Sequence, residues 1–190
     1  MEQFPEWIGR FTFVQIAAPT RSSIEQYQSY ADRVHALAER INQRFANRRA
    51  PVILLRAEHH DADQVFEFYR AADLCFVSSL HDGMNLVAKE FVAARDDEHG
   101  VLVLSALAGA AQELEDAVII NPYDIDAFAA ELARAIKMPS EEQAARMRAM
   151  RKVVAGRNVF NWASDILEGL ESLWTRPLLY SVRGWEETSV

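Results

Sequence analysis

The sequence predicts an α/β fold, a mainly parallel sheet covered by helices on both faces, and three observations predict it. Short, wholly apolar runs recur along the chain, as in Pro51-Val52-Ile53-Leu54-Leu55 and Val101-Leu102-Val103-Leu104. Between them lie segments with apolar residues at spacings of three and four, as at Ile24, Tyr27, Ala31, Val34, Ala38, Ile41 and Phe45. Half of the 190 residues are hydrophobic and 25% are charged, which suits one domain with its own core and argues against disorder.

The elements follow in order. Phe11-Thr12-Phe13-Val14-Gln15-Ile16, rich in aromatic and β-branched residues, is the first strand. A loop with Pro19 leads to the long amphipathic helix, which Ser22 or Ser23 can cap and whose Glu25 and Glu39 suit an exposed face. Residues 51–55 are the second strand. Asp61 or Asp63 starts the next helix, with Val65, Phe66, Phe68 and Tyr69 as packing residues. Leu74-Cys75-Phe76-Val77 is the third strand, and Asp82-Gly83 turns the chain into a helix carrying Leu86, Val87, Phe91 and Val92. Residues 101–104 and 118–120 are the fourth and fifth strands. Ile125, Phe128, Leu132 and Ile136 mark a helix over 124–137, Ser140 caps another, and a last helix runs over about 161–173. Residues 1–174 are read as one Rossmann-like, three-layer domain, and 175–190 as a tail without clear periodicity. In such sheets ligands bind at the C-terminal ends of the strands, which directs attention to the loops after residues 16, 55, 77 and 104.

Charge and composition exclude several classes. The net charge is −8 and the pI about 5.2, so the chain on average repels nucleic acid and anionic membranes. The one cysteine, Cys75, allows no intrachain disulfide and lies in an apolar run, which predicts a buried, inert thiol. No stretch approaches the ~20 apolar residues of a membrane span. Residues 1–6 carry neither a basic region nor an apolar signal segment, so a cytoplasmic location is expected.

The residues that can carry chemistry concentrate in Ser78-Ser79-Leu80-His81-Asp82-Gly83-Met84-Asn85-Leu86-Val87-Ala88-Lys89-Glu90, between a buried strand and a helix. Gly83 lets the backbone approach a ligand closely. Free N–H groups from Met84 to Val87, at the positive end of the helix dipole, suit a pyrophosphate. The Asp82 carboxylate can accept hydrogen bonds from sugar hydroxyls, and Glu90 from ribose hydroxyls. The same residues also read as a helix cap (Asp82) and a solvated helix residue (Glu90), because a strand–glycine–helix turn is common. Asp61-Ala62-Asp63 is accounted for by capping and dipole effects rather than by a metal, and His59-His60 has no convincing further ligands. Ser105 lacks a nucleophile elbow. Residues 146–152, with Met147 and Met150 among arginines, read as a solvated helix face with a packing side.

The string Asp82-Gly83-Met84-Asn85-Leu86-Val87-Ala88-Lys89-Glu90 resembles the donor-binding motif of the trehalose-6-phosphate synthase family. Val14-Gln15-Ile16-Ala17 with Pro19 and Arg21, then Arg40-Ile41-Asn42 with Phe45, Gly100 to Ser105, Ala108-Gly109-Ala110-Ala111 and Val118 to Asp124 resemble further family segments in order. Gln43 stands where the family usually has glycine, and His81 where arginine usually precedes Asp-Gly. The resemblance implies the C-terminal half of a two-domain GT-B fold and a retaining, metal-free glucosyl transfer from UDP-glucose to glucose 6-phosphate. No cofactor is implied. Asp82 would be the catalytic-site carboxylate holding the donor glucose, and Gly83, Met84, Asn85, Leu86 and Val87 would hold pyrophosphate and sugar through backbone groups. Glu90 would bind the uridine ribose, His60 would meet the uracil through its backbone, and Arg21 would grip the acceptor phosphate bidentately.

Two things the family has are expected to be lacking in residues 1–190: an N-terminal acceptor domain, and a first βα unit whose arginine and lysine neutralise the pyrophosphate. An isolated chain is therefore expected to be inactive, or active only with a separate N-terminal subunit, and an open sheet edge invites homo-oligomers. The same motifs fit a glucosylglycerol-phosphate synthase part, a non-catalytic donor-binding or regulatory subunit, or a truncated fragment. They do not separate UDP from GDP or ADP donors.

Overall fold

The computed structural model describes residues 1–19, 24–45, 51–157 and 159–175. Its strands are β1 (Phe13–Ile16), β2 (Ile53–Arg56), β3 (Leu74–Val77), β4 (Val101–Ser105) and β5 (Val118–Ile120). Its α-helices are α1 (Glu25–Phe45), α2 (Ala62–Ala71), α3 (Leu86–Ala94), α4 (Ile125–Ile136), α5 (Ser140–Gly156) and α6 (Val159–Thr175). All strand pairings are parallel, as the continuous apolar runs predict.

The strands form two sheets, of order β1-β2 and β3-β4-β5. β1 pairs with β2 from Phe13↔Ile53 to Ile16↔Arg56, and β3 with β4 from Leu74↔Val101 to Val77↔Leu104. No ladder joins β1 to β3 among the described residues. Side chains meet there instead: Phe13 lies edge-on to Phe76, with centroids 6.1 Å apart, and Phe76 stacks on Phe128 of α4 at 4.9 Å.

β4 shows why the layers form. All five of its residues are buried, and successive side chains point to opposite faces. Leu102 and Leu104 join Phe91 and Val92 of α3 and Met147 and Met150 of α5 in one core cluster. Val101 and Val103 join Val118, Ile120, Ala135 and Met138 in the other, against α4. Burying each such large side chain contributes roughly 1.5–3 kcal/mol. The run 146–152 behaves as read, with Met147 and Met150 buried while Arg148 stays exposed and pairs with Glu98 at 3.5 Å.

Capping follows the sequence at α2 and departs from it at α5. Asp61 caps α2, accepting from Gln64 N at 2.9 Å while the Gln64 side chain accepts from Asp61 N, and Asp124 caps α4 through Ala127 N at 3.0 Å. Ser140 is not a cap. The extended backbone of Pro139 places the cap one residue earlier, so Ser140 is the first helical residue of α5 and Glu141 and Glu142 favour its N-terminus instead. The last helix is longer than expected at both ends. Ser22, Ser23 and residues 176–190 of the tail lie outside the described residues.

One buried charge ties α2 to α3. Arg95, only 5% exposed, follows α3 and donates from Nη1 to the carbonyls of Tyr69, Arg70 and Ala72 at 3.0, 2.7 and 2.8 Å. Asp97 accepts from its Nε and Nη2, both at 3.1 Å. The orphan carbonyls at the end of α2 thus receive a cation where the helix dipole is negative. The Cys75 thiol, partly rather than fully buried against the core cluster of α3 and α5, is pushed up to about 12 by burial, in keeping with an inert thiol.

Candidate functional site

The segment from Ser78 to Asn85 crosses the C-terminal edge of β3, and the stretch after β4 holds it in place. Ser105 is fully buried, donates from Oγ to Ser79 O at 2.7 Å and accepts from Leu107 N at 3.1 Å, which is a structural role for its hydroxyl. Gly109 N donates to Asp82 O at 2.9 Å, and Ala110 N to Met84 O at 2.7 Å. Asp82 and Ala108 form a parallel bridge between the two loops. The approach is so close that a Cβ on Gly109 would overlap the Gly83 carbonyl. Gly83 itself is open, and a Cβ built there would meet nothing within 4 Å.

Asn85 organises the turn. Its φ of 75° and ψ of 91° place it in the left-handed half of backbone space, where asparagine is tolerated because its amide bonds locally. The side chain is 9% exposed. Its Oδ1 accepts from Ala88 N at 2.9 Å, which caps α3, and its Nδ2 donates to Asp82 Oδ2 at 3.0 Å and Ser79 Oγ at 3.3 Å. Asp82 Oδ1 accepts from Met84 N at 3.1 Å. The Met84 N–H first, and the Asn85 amide second, hold the Asp82 carboxyl below the usual aspartate range. Asp82 is therefore an ionised, oriented carboxylate.

Two expectations change here. The cap of α3 is Asn85, not Asp82. The Met84 N–H is not free, since the Asp82 carboxylate takes it in a local turn. At the first two helical positions of α3, the N–H groups of Leu86 and Val87 lack intrahelical partners by helix geometry, and both side chains are exposed beside them.

Glu90, in the second turn of α3, is half-buried rather than solvated, and its Oε2 accepts from the Tyr69 hydroxyl of α2 at 3.1 Å. Burial first, and the Glu90 carboxylate second, raise the Tyr69 phenol far above its ordinary value. Lys89 turns the other way and pairs with Glu113 at 2.9 Å, anchoring α3 to the 3-10 helix Gly109–Gln112 and its exit. His60 immediately precedes the cap of α2; its side chain is 9% exposed, lies edge-on to Phe68 at 5.5 Å, and leaves a buried Nε2 without a hydrogen-bond partner. α2 thus connects His60, through Phe68 and its neighbour Tyr69, to Glu90. Arg21 lies outside the described residues.

The structure brings Asp82, Gly83, Met84, Asn85, Leu86, Val87 and Glu90 to one strand-to-helix junction. Sequence reasoning missed Tyr69 as a polar partner, Arg95, and the packing role of Gly109. The arrangement offers an oriented anion acceptor for hydroxyls, an open glycine backbone, two N–H groups at a helix start and a second carboxylate further along. That combination suits a ligand that carries both phosphate and polyhydroxyl groups.

Known proteins resemble this chain over most of its length. Residues 1–172 match the profile of glycosyltransferase family 20. The trehalose-6-phosphate synthase of Klebsiella pneumoniae is 40% identical over 185 residues, covering 97% of this chain and 39% of that protein. The bifunctional trehalose-6-phosphate synthase/phosphatase of Thermoproteus tenax is 37% identical over 172 residues, covering 90% of this chain and 24% of that protein. Among solved structures, an α,α-trehalose-phosphate synthase (UDP-forming) from Burkholderia xenovorans in complex with glucose-6-phosphate superposes with a TM-score of 0.85 at 42% identity, over 90% of this chain and 38% of that one. An E. coli structure bound with UDP-2-fluoro glucose superposes with a TM-score of 0.85 at 37% identity, over 90% of this chain and 38% of that one. The chain thus spans well under half the length of the relatives it matches, and it belongs to glycosyltransferase family 20 with the Rossmann-like fold of the trehalose-phosphate synthase structures.

Proposed function

We propose that this chain is the nucleotide-sugar-binding part of a retaining α,α-trehalose-phosphate synthase, with UDP-glucose as donor and glucose 6-phosphate as acceptor. The observation that carries the reading is the Asp82 carboxylate, fixed by Met84 N–H and the Asn85 amide beside the open face of Gly83 and the start of α3. In this reading Asp82 accepts hydrogen bonds from the donor glucose, and its own bonds to the loop orient it for that task rather than for nucleophilic attack. Gly83, Met84, Asn85, Leu86 and Val87 line the sugar and pyrophosphate, with the Leu86 and Val87 N–H groups stabilising charge on the departing diphosphate. Glu90 takes the ribose hydroxyls, the backbone at His60 meets the base, and Arg21 binds the acceptor phosphate. Relatives of known structure support the ligand classes, one being in complex with glucose-6-phosphate and another bound with UDP-2-fluoro glucose.

Transfer itself needs more than the junction. Both sugars must be positioned together, and the charge on the leaving diphosphate must be met by further cations. In this proposal the residues described bind donor, and turnover requires the remaining length that the relatives carry. Among the described residues β1 and β3 each keep an unpaired edge, and Trp162, Ile166, Leu170 and Leu173 of α6 are exposed; in this proposal that remaining length covers these surfaces. Calorimetric titration with UDP-glucose and with UDP tests the donor site. Saturable binding is expected, and Asp82→Ala should weaken UDP-glucose about tenfold or more while changing UDP little. No binding up to millimolar ligand, or equal loss for both ligands, would sink the assignment of Asp82 to the glucose.

A further inference from the structure

Glu90 and Tyr69 belong to different helices, and the contact between them joins two half-buried polar groups. The tyrosine is held from several sides. Its ring lies edge-on to Phe91 at 6.2 Å and to Phe66 at 5.9 Å, and its backbone carbonyl accepts from the buried Arg95 guanidinium at 3.0 Å. A glutamate on a helix has three rotatable side-chain bonds, and without a partner it spreads over several rotamers. The Tyr69 hydroxyl removes that freedom by occupying Oε2, and Oε1 takes no hydrogen bond among the described residues. We propose that Tyr69 is a positioning residue for donor recognition, holding the Glu90 carboxylate so that Oε1 is presented to the ribose hydroxyls of the nucleotide.

The inference rests on the donor-site reading above and adds a residue to it. It also explains why a tyrosine rather than a phenylalanine occupies this partly buried place. The ring alone satisfies the aromatic contacts, and only the hydroxyl reaches Glu90. With its phenol raised by burial and by the adjacent carboxylate, Tyr69 keeps its proton and remains a donor at any physiological pH. Arg95 belongs to the same device, because it holds the end of α2 that carries Tyr69 against α3.

The test is a double-mutant cycle on UDP binding, read by calorimetry for the tighter variants and by ligand-observed NMR for the weaker ones. Tyr69→Phe keeps the ring and its packing, so thermal unfolding should be close to that of the parent. It should weaken UDP about 5- to 10-fold in the parent background. In a Glu90→Ala background the same substitution should change UDP affinity by less than about twofold, since the group it positions is gone. An unchanged affinity on Tyr69→Phe overturns the proposal. So does an equal loss in both backgrounds, which would show that Tyr69 acts through packing alone. If the parent binds no UDP while remaining folded, the donor-site reading fails and this inference falls with it, an outcome separate from the other two.

Discussion

At the scale of single residues, the junction is built by side chains that bond to their own backbone. Asp82 and Asn85 form a closed set with Met84 N and Ala88 N, and these bonds fix the orientation of the Asp82 carboxylate. Because the folded Asp82 carboxyl is held below the usual aspartate value, its bonds contribute fully above that value and are lost as pH falls through the lowered one. An NMR titration of the Asp82 carboxyl carbon should therefore show a midpoint below the ordinary value near ~4, and Asn85→Ala should move it upward. A midpoint at or above the ordinary value would refute the geometry. The two glycines of the paired loops should separate by role. Gly83→Ala meets no protein atom, so denaturant unfolding should change by less than about 0.5 kcal/mol while UDP-glucose binding weakens. Gly109→Ala drives a methyl into the Gly83 carbonyl and should cost about 1–3 kcal/mol in the same unfolding measurement.

At the scale of elements, the site depends on how α2 and α3 are joined. The sequence marks both helices by their apolar spacing, but nothing in that spacing says that Arg95 closes the end of α2. Removing the guanidinium leaves three carbonyls and Asp97 without their buried partner. Arg95→Met should destabilise the chain by about 3 kcal/mol in urea denaturation. It should also weaken UDP, because α2 carries both Tyr69 and the His60 approach. A loss below about 1 kcal/mol would show that water replaces the guanidinium at these carbonyls.

At the scale of the whole molecule, stability should be uneven. β4 is buried along its length and paired on both sides, while among the described residues β1 and β2 each have one ladder and no fully buried residue. Hydrogen exchange should therefore be slowest in β4, intermediate in β3 and β5, and fastest in β1 and β2. Protection in β1 equal to that in β4 would mean that its free edge is paired, by a second copy or by another segment. The loops after residues 16 and 55 leave one sheet and those after residues 77 and 104 the other, so protection of β1 and order at the junction should rise together when the edge of β1 is filled.

The sequence alone determined whatever depends on near neighbours. β3 and β5 lie on the residues their apolar runs mark, and α2 begins directly after Asp61, one of the two aspartates marked as its start. The strand-to-helix junction was also legible, because a glycine between a buried strand and a helix start is a local pattern. Local reading failed where two signals competed within a turn, as when Pro139 rather than Ser140 capped α5 and Asn85 rather than Asp82 capped α3. Only the tertiary structure decided that the strands divide into two sheets, that Gly109 is required by Gly83, and that Tyr69 meets Glu90 across 21 residues. Periodicity tells which face of an element is buried, because that depends on neighbours three or four positions away. It carries no information on which distant group will stand opposite that face, since the choice follows from how the layers pack.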